Sequence, residues 1–127
     1  MPKILIVDDD PIIRNLLLQI LEPFEELGVE LLNAGDGKAA LDIIKKSEPE
    51  IVFLDVMMPN INGFEVCKIT KNEYMLKNIY IIMLTAKGQE VDRQKAIDCG
   101  ADHYITKPFN IDEILKKVSA VLGMNVP

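Results

Sequence analysis

Acids, a hydroxyl and a lysine follow the short apolar runs of this 127-residue chain. Asp8-Asp9-Asp10 comes directly after the run at 4–7, and Asp55 after the run at 51–54. Thr85 closes the run at 79–84, and Lys107-Pro108 lies just beyond a mixed segment at 103–105. If these runs are parallel strands of one sheet, the spacing from Asp8 to Asp55 spans about two βα units, and the next two intervals about one each. All of these groups then meet at one sheet edge. Two carboxylates ~4 Å apart at an effective dielectric of ~20 repel by roughly 4 kcal/mol, so something positive belongs among them. A hard divalent cation such as Mg²⁺ suits an all-oxygen site with one or two direct carboxylates, whereas no His or Cys cluster is present for zinc. Lys107 supplies a second, mobile positive charge. Aspartate nucleophile, cation, lysine and hydroxyl together can carry phosphoryl transfer, because Asp can form an acyl phosphate while the others neutralise the equatorial oxygens.

Taken singly, each feature has a plainer meaning. An Asp triplet after a strand is commonly a solvated turn, and Asp10 reads as a helix cap. Thr85 alone fits a strand end or turn, and Lys107-Pro108 alone fits a surface turn. Their common spacing favours the site. Tyr104 fits either edge-strand packing or a moving part, the only histidine, His103, reads as packed or solvated, and Met58 reads as packing.

The elements that must position these groups alternate along the chain. Residues 4–7, 51–54 and 79–84 are short, branched and uniformly apolar, as central strands covered on both faces are. Residues 29–33 and 103–105 mix polar with apolar side chains, as edge strands do. Ile12, Ile13, Leu16, Leu17, Ile20, Leu21 and Phe24 form a helical stripe, with Asp10 as cap and Pro11 at the first helical position. Further helices are predicted from about 37 to 46 after Asp36, and from about 64 to 71 after the turn at 59–63. A sparsely anchored helix over 89–99 has only Val91, Ala96 and Ile97 as apolar anchors, and Gly100 ends it. The last helix has Asn110 as cap, Glu113 three residues on, a stripe of Ile111, Ile114, Leu115, Val118, Val121 and Leu122, and Gly123 as terminator.

Strict alternation of strands and helices implies right-handed crossovers and an α/β fold, a single doubly wound five-stranded parallel sheet with helices on both faces. With the mixed strands at the edges, the pattern matches the known doubly wound order 2-1-3-4-5, the flavodoxin-like one, which is expected here by that match. Lys and Arg number 14 against 20 Asp and Glu, a net charge of −6, the wrong sign for direct nucleic-acid or anionic-lipid binding. The sequence holds neither an apolar run approaching ~20 residues nor a signal-peptide pattern at its start, which predicts a cytoplasmic protein. Cys67 and Cys99, far apart in sequence, read as buried thiols.

Val7-Asp8-Asp9-Asp10, Leu54-Asp55-Val56-Met57-Met58-Pro59, Asn62-Gly63, Leu84-Thr85-Ala86 and Tyr104-Ile105-Thr106-Lys107-Pro108-Phe109 resemble the receiver domain of two-component response regulators, in order and over essentially the whole chain. The resemblance implies that Asp55 accepts a phosphoryl group from a phosphohistidine on a sensor histidine kinase or histidine phosphotransfer protein. It implies Mg²⁺ held by Asp9, Asp55 and the Met57 carbonyl, with Asp8 acting mostly through water. Lys107 would pair with Asp55 and then with the phosphoryl oxygens, across a cis bond to Pro108. Thr85 and Tyr104 would form the switch, and Met57 and Lys87 would flank the approach of water. The helix over 89–99, the Tyr104 strand and the last helix would be the face that changes partners.

Other functions fit less well. A haloacid-dehalogenase-type phosphatase wants a second Asp two residues after the nucleophile, where Met57 stands. A flavodoxin-like electron carrier wants a Ser/Thr/Gly-rich phosphate loop where the acid triplet stands. The alternative from another class is a phosphorylation-independent interaction module of the same fold. The expected organisation is a receiver unit over 1–123 with a tail over 124–127, acting as a regulatory phosphoacceptor and not as an enzyme on other substrates. It would be either a stand-alone regulator, monomeric or dimerising on phosphorylation, that docks on a downstream protein, or the front end of a longer regulator with a separate output domain.

Overall fold

The computed structural model describes residues 1–86 and 91–125, with backbone alone for residues 91–93 and 96. Its strands are β1 (Lys3–Val7), β2 (Glu30–Ala34), β3 (Ile51–Asp55), β4 (Tyr80–Thr85) and β5 (His103–Thr106). Its helices are α1 (Pro11–Glu26), α2 (Gly37–Ser47), α3 (Gly63–Lys68), α4 (Val91–Asp98) and α5 (Ile111–Leu122), with a π-helical turn at Ile69–Glu73. All strand pairs are parallel and the order is β2-β1-β3-β4-β5, the order of the matched pattern, with the two mixed strands at the edges as their composition suggested.

Strand side chains alternate between two cores, as the period of two requires. Ile4, Ile6, Phe53, Ile82 and Leu84 meet Leu17, Leu21, Phe24, Ile114 and Val118 of α1 and α5. Leu5, Val7, Val52, Leu54, Ile81 and Met83 meet Ala40, Ile44, Val66 and Cys67 of α2 and α3. The helix ends follow the expected chemistry. Asp10 accepts the Ile12 N–H at 2.9 Å, Asp36 the Ala39 N–H at 2.8 Å, and Asn110 the Glu113 N–H at 3.0 Å. Gly100 and Gly123 adopt the left-handed backbone that stops α4 and α5.

Several expectations need correction. In α1, Ile12 is 74 % exposed and Leu16 is also exposed, so the buried stripe is narrower than the sequence pattern. Sixteen helical residues reach about 24 Å, while five strand residues reach about 17 Å. The helix is thus longer than the strand it packs on, so not every residue of its apolar stripe can be covered. Ile111, in the first turn of α5, is also exposed, in contrast to the sequence pattern. The third helix stops at Lys68 and continues as a π turn, closed by the Tyr74 N–H on the Ile69 carbonyl at 2.8 Å. The Thr70 hydroxyl also bonds back to the Val66 carbonyl at 2.8 Å, in competition with regular helix geometry.

In α4, Ile97 is 61 % exposed, in contrast to its reading as an apolar anchor. Just past the end of that helix Cys99 is buried, and the exposed Lys95 keeps its ammonium 5.8 Å from the centre of the Phe64 ring; a residue midway between these two points to the other side of the helix. Lys87, the predicted helix start at 89 and the side chains of Val91 and Ala96 lie outside the described residues. Cys67 and Cys99 are buried thiols not joined in a disulfide, as expected, yet they are spatial neighbours, with Cys67 Sγ donating to the Cys99 carbonyl at 3.4 Å.

Candidate functional site

The carboxyl edge of the sheet gathers the predicted groups. Val7 is in register with Leu54, so Asp8 emerges level with Asp55 on the neighbouring strand. Asp55 is in register with Leu84, and Thr85 with Thr106, which puts Thr85 and Lys107 at the same edge one strand further on. One oxygen from each of Asp8, Asp9 and Asp55 lies within 4.8 Å of the others. Lys107 Nζ donates to Asp8 Oδ2 at 3.2 Å and to Asp55 Oδ1 at 3.3 Å. The Lys107–Pro108 peptide is cis, as the resemblance implied.

Burial and charge oppose each other here. Asp8 is 1 % exposed and Asp55 5 %, whereas Asp9 is open to solvent. Desolvation, and then the neighbouring Asp8 charge, push the Asp55 carboxyl up to about 6 against the pull of Lys107. Burial alone would lower the Lys107 ammonium, but Asp55 and Asp8 outweigh it and hold its pKa above 10.5. Asp55 Oδ1 also accepts a long bond from the Met57 N–H at 3.4 Å, and the Met57 side chain is exposed. Thr85 is buried, and its Oγ1 donates to Thr106 Oγ1 at 3.5 Å, a long bond that is weak and exchangeable. Tyr104 is half-buried against the α2–α3 side of the core, and Met58 is buried there, a packing residue as read.

The loop after β3 is held close to Asp55 by chain geometry. The Gly63 N–H donates to the Val56 carbonyl at 3.1 Å, and Asn62 and Glu65 exchange bonds at 3.0 and 3.2 Å in a capping box. A Cβ at Gly63 would lie 2.3 Å from the Asp55 carbonyl oxygen, so only glycine lets this loop fold back over the strand end. That steric role was not visible in the sequence, where Asn62-Gly63 read as a turn and as part of the family resemblance. The Thr106 hydroxyl partnering Thr85 was likewise missed, although its place one residue before Lys107 in the mixed strand was a usable signal.

The donor set fits a hard cation. Three carboxylates from two strand ends converge, the cluster contains no sulfur or imidazole ligand, and the exposure of Asp9 lets water complete a coordination shell.

A parallel 2-1-3-4-5 sheet whose carboxyl edge joins three aspartates to a lysine and a buried threonine defines a protein class, and the sequence comparison agrees with it. The chain belongs to the response regulator receiver domain family, whose family model matches residues 4–119. It is 39 % identical over 122 residues to the DNA-binding dual master transcriptional regulator RpaA of Synechocystis sp., covering 96 % of this chain and 49 % of that protein. The chain thus spans about half the length of that relative. Among solved structures, chemotaxis protein CheY4 of Vibrio cholerae is 33 % identical with a TM-score of 0.83, covering 95 % of this chain and 98 % of that one. The receiver domain of sensor histidine kinase PA1611 from Pseudomonas aeruginosa PAO1, which has a magnesium ion coordinated in its active-site cleft, shares the fold at a TM-score of 0.83 and 23 % identity over 96 % of this chain and 98 % of that one. No helix among the described residues is long and apolar enough to cross a membrane.

Proposed function

We propose that residues 1–123 form a phosphoacceptor switch in which Asp55 receives a phosphoryl group from a phosphohistidine of a sensor histidine kinase or histidine phosphotransfer protein. The observation that carries this reading is the convergence of the Asp8, Asp9 and Asp55 carboxylates within 4.8 Å, with Lys107 Nζ 3.3 Å from the proposed nucleophile. An Asp55 carboxylate oxygen attacks phosphorus in line. The new P–O bond forms as the P–N bond breaks, and the leaving imidazole takes up a proton. Asp9, Asp55 and the Met57 carbonyl would hold Mg²⁺, with Asp8 acting through water. The ion supplies charge neutralisation at the phosphoryl oxygens. Lys107 would pass from its carboxylate partners to a phosphoryl oxygen, and the Thr85 hydroxyl from Thr106 to another.

Phosphorylation adds about −1.5 to −2 charge at Asp55, giving Thr85 and Lys107 a new acceptor. Tyr104 would follow Thr85 inward, shifting the face of α4, β5 and α5. The four α4 side chains described, Gln94, Lys95, Ile97 and Asp98, are all exposed, as a weakly held helix would require. The protein in this reading is regulatory and cytoplasmic. It acts on a downstream protein or a separate output domain, as a monomer or a phosphorylation-dependent dimer, and does not itself contact nucleic acid.

The test combines the protein with Mg²⁺ and a small acyl phosphate, followed by intact mass. A single hydroxylamine-labile phosphoryl adduct is expected, absent without Mg²⁺ and absent in Asp55→Asn. No adduct in the wild type, or an undiminished one in Asp55→Asn, overturns the reading in favour of a phosphorylation-independent interaction module.

A further inference from the structure

Asp8 is held by the protein at each of its polar atoms. Its N–H donates to the Ala34 carbonyl at 3.2 Å, its Oδ1 accepts the Asp10 N–H at 2.9 Å, and its Oδ2 accepts Lys107 at 3.2 Å. The remaining group, its backbone carbonyl, accepts Arg14 Nη1 at 2.7 Å, a short, charge-assisted bond. Arg14 stands four residues after the α1 cap Asp10, and its side chain reaches back across the end of the sheet. Room for its guanidinium is made on the opposite side by Gly35, where a Cβ would lie 3.1 Å from Nη1. Gly35 has no left-handed backbone, so conformation does not demand glycine there. A Cβ there would instead press on the guanidinium, which would have to shift by a few tenths of an ångström.

The carbonyl that Arg14 grips belongs to the peptide joining Asp8 to Asp9. A peptide unit is planar, so fixing the direction of its C=O fixes the plane that links the two Cα atoms. That plane sets how the buried Asp8 carboxylate and the exposed Asp9 carboxylate are oriented relative to each other. From this geometry we infer that Arg14, given room by Gly35, is a positioning residue for the acidic cluster: it locks the Asp8–Asp9 peptide so that both carboxylates face the cation. The inference rests on the proposed metal-dependent reading of the same site and assigns Arg14 no contact with the reacting atoms.

The electrostatic and positional effects of Arg14 have opposite signs, which makes the inference testable. As a mere positive charge near three carboxylates, Arg14 would repel Mg²⁺, and its removal would tighten binding. As a positioning group, its removal weakens binding, as loss of an outer partner of a metal ligand does, by about tenfold. The experiment is calorimetric titration of the full chain with Mg²⁺, together with amide exchange of Asp10 in the metal-free protein.

Arg14→Ala should bind Mg²⁺ about tenfold more weakly and exchange the Asp10 amide several-fold faster. Arg14→Lys, which keeps the charge and can still reach the carbonyl, should recover most of the loss. Gly35→Ala, which keeps Arg14 and displaces its guanidinium, should show a smaller loss in the same direction with an unchanged melting temperature. Equal or tighter Mg²⁺ binding in Arg14→Ala, or wild-type affinity in Gly35→Ala, overturns the inference. If Arg14→Ala does not fold, Gly35→Ala and Arg14→Lys decide by the same criteria. Absence of Mg²⁺ uptake in the wild type would overturn the metal-site reading itself, and the Asp10 exchange rates would still show whether Arg14 orders the turn.

Discussion

Asp55 is the residue on which stability and the proposed chemistry pull in opposite directions. Its carboxyl in the folded protein is raised from 3.8 to about 6, chiefly by burial and then by Asp8. The fold therefore opposes its ionisation. This penalty is absent below about pH 4, grows as pH rises and is complete above about pH 6, where the shift corresponds to about 3 kcal/mol. Asp55→Asn should consequently be more stable than wild type at pH 7, by on the order of 2 kcal/mol, and nearly equal to it at pH 4. Urea denaturation of both proteins at the two pH values checks this. Lys107 is the counterweight. Lys107→Met should cost on the order of 2 kcal/mol at pH 7, less than loss of a fully buried partner because the lysine side chain is 27 % exposed. It should also raise the Asp55 midpoint above 6, measurable by carboxyl NMR titration.

At the scale of elements, two connections set the frame. The loop from β3 into α3 crosses so close to Asp55 that a Cβ at Gly63 would meet the backbone, 2.3 Å from the Asp55 carbonyl oxygen and 2.9 Å from the Val56 Cα. Backbone atoms cannot swing aside as a flexible side chain does. Gly63→Ala should therefore cost on the order of 3 kcal/mol and weaken Mg²⁺ binding by displacing the loop, with thermal melting and calorimetry as the measurements. At the opposite edge of the sheet, the π turn places Lys71 under the core. Its Nζ donates to the Lys77 carbonyl at 3.1 Å, the Ile79 carbonyl at 2.6 Å and Asp102 Oδ2 at 2.9 Å, and the same carboxylate oxygen accepts the Ile81 N–H at 2.8 Å. This network ties the π turn to the starts of β4 and β5. Lys71→Met should cost on the order of 3 kcal/mol because it leaves buried acceptors unmatched. Combining it with Asp102→Asn should cost less than the two single losses together, read from a double-mutant cycle of urea midpoints.

For the whole molecule, the acidic edge stores repulsion that a bound cation relieves. A ligand that binds only the folded state stabilises it by about 2.7 kcal/mol at a hundredfold excess over its Kd. For a domain of this size that corresponds to a rise in Tm of roughly 10 °C. Scanning calorimetry should show such a rise with saturating Mg²⁺ at pH 7.5. The rise should shrink as pH falls through about 6, where Asp55 takes up its proton and loses the charge proposed to hold the ion. Asp55→Asn should show a much smaller rise at either pH.

Much of this was open to a reading of local pattern. Uniform apolar runs marked the three central strands, mixed runs the two edges, and cap residues such as Asp10, Asp36 and Asn110 fell where the helices begin. The positions of Asp8, Asp55, Thr85 and Lys107 at strand ends followed from the same pattern, because the order of a parallel sheet delivers successive strand ends to one edge. Local pattern cannot report distances between segments that meet only through packing. The two-handed grip of Lys107 on Asp8 and Asp55, the raised Asp55 carboxyl, the Arg14 bond to the Asp8 carbonyl, the adjacency of Cys67 and Cys99 and the exposure of Ile12, Leu16 and Ile97 belong to that class. The alternation of residue types thus determined which elements form and which side chains reach the edge. How far apart those side chains stand, how dry they are and which atom each one holds was decided by tertiary packing, because desolvation and hydrogen-bond geometry are properties of three-dimensional neighbours that short sequence periods do not encode.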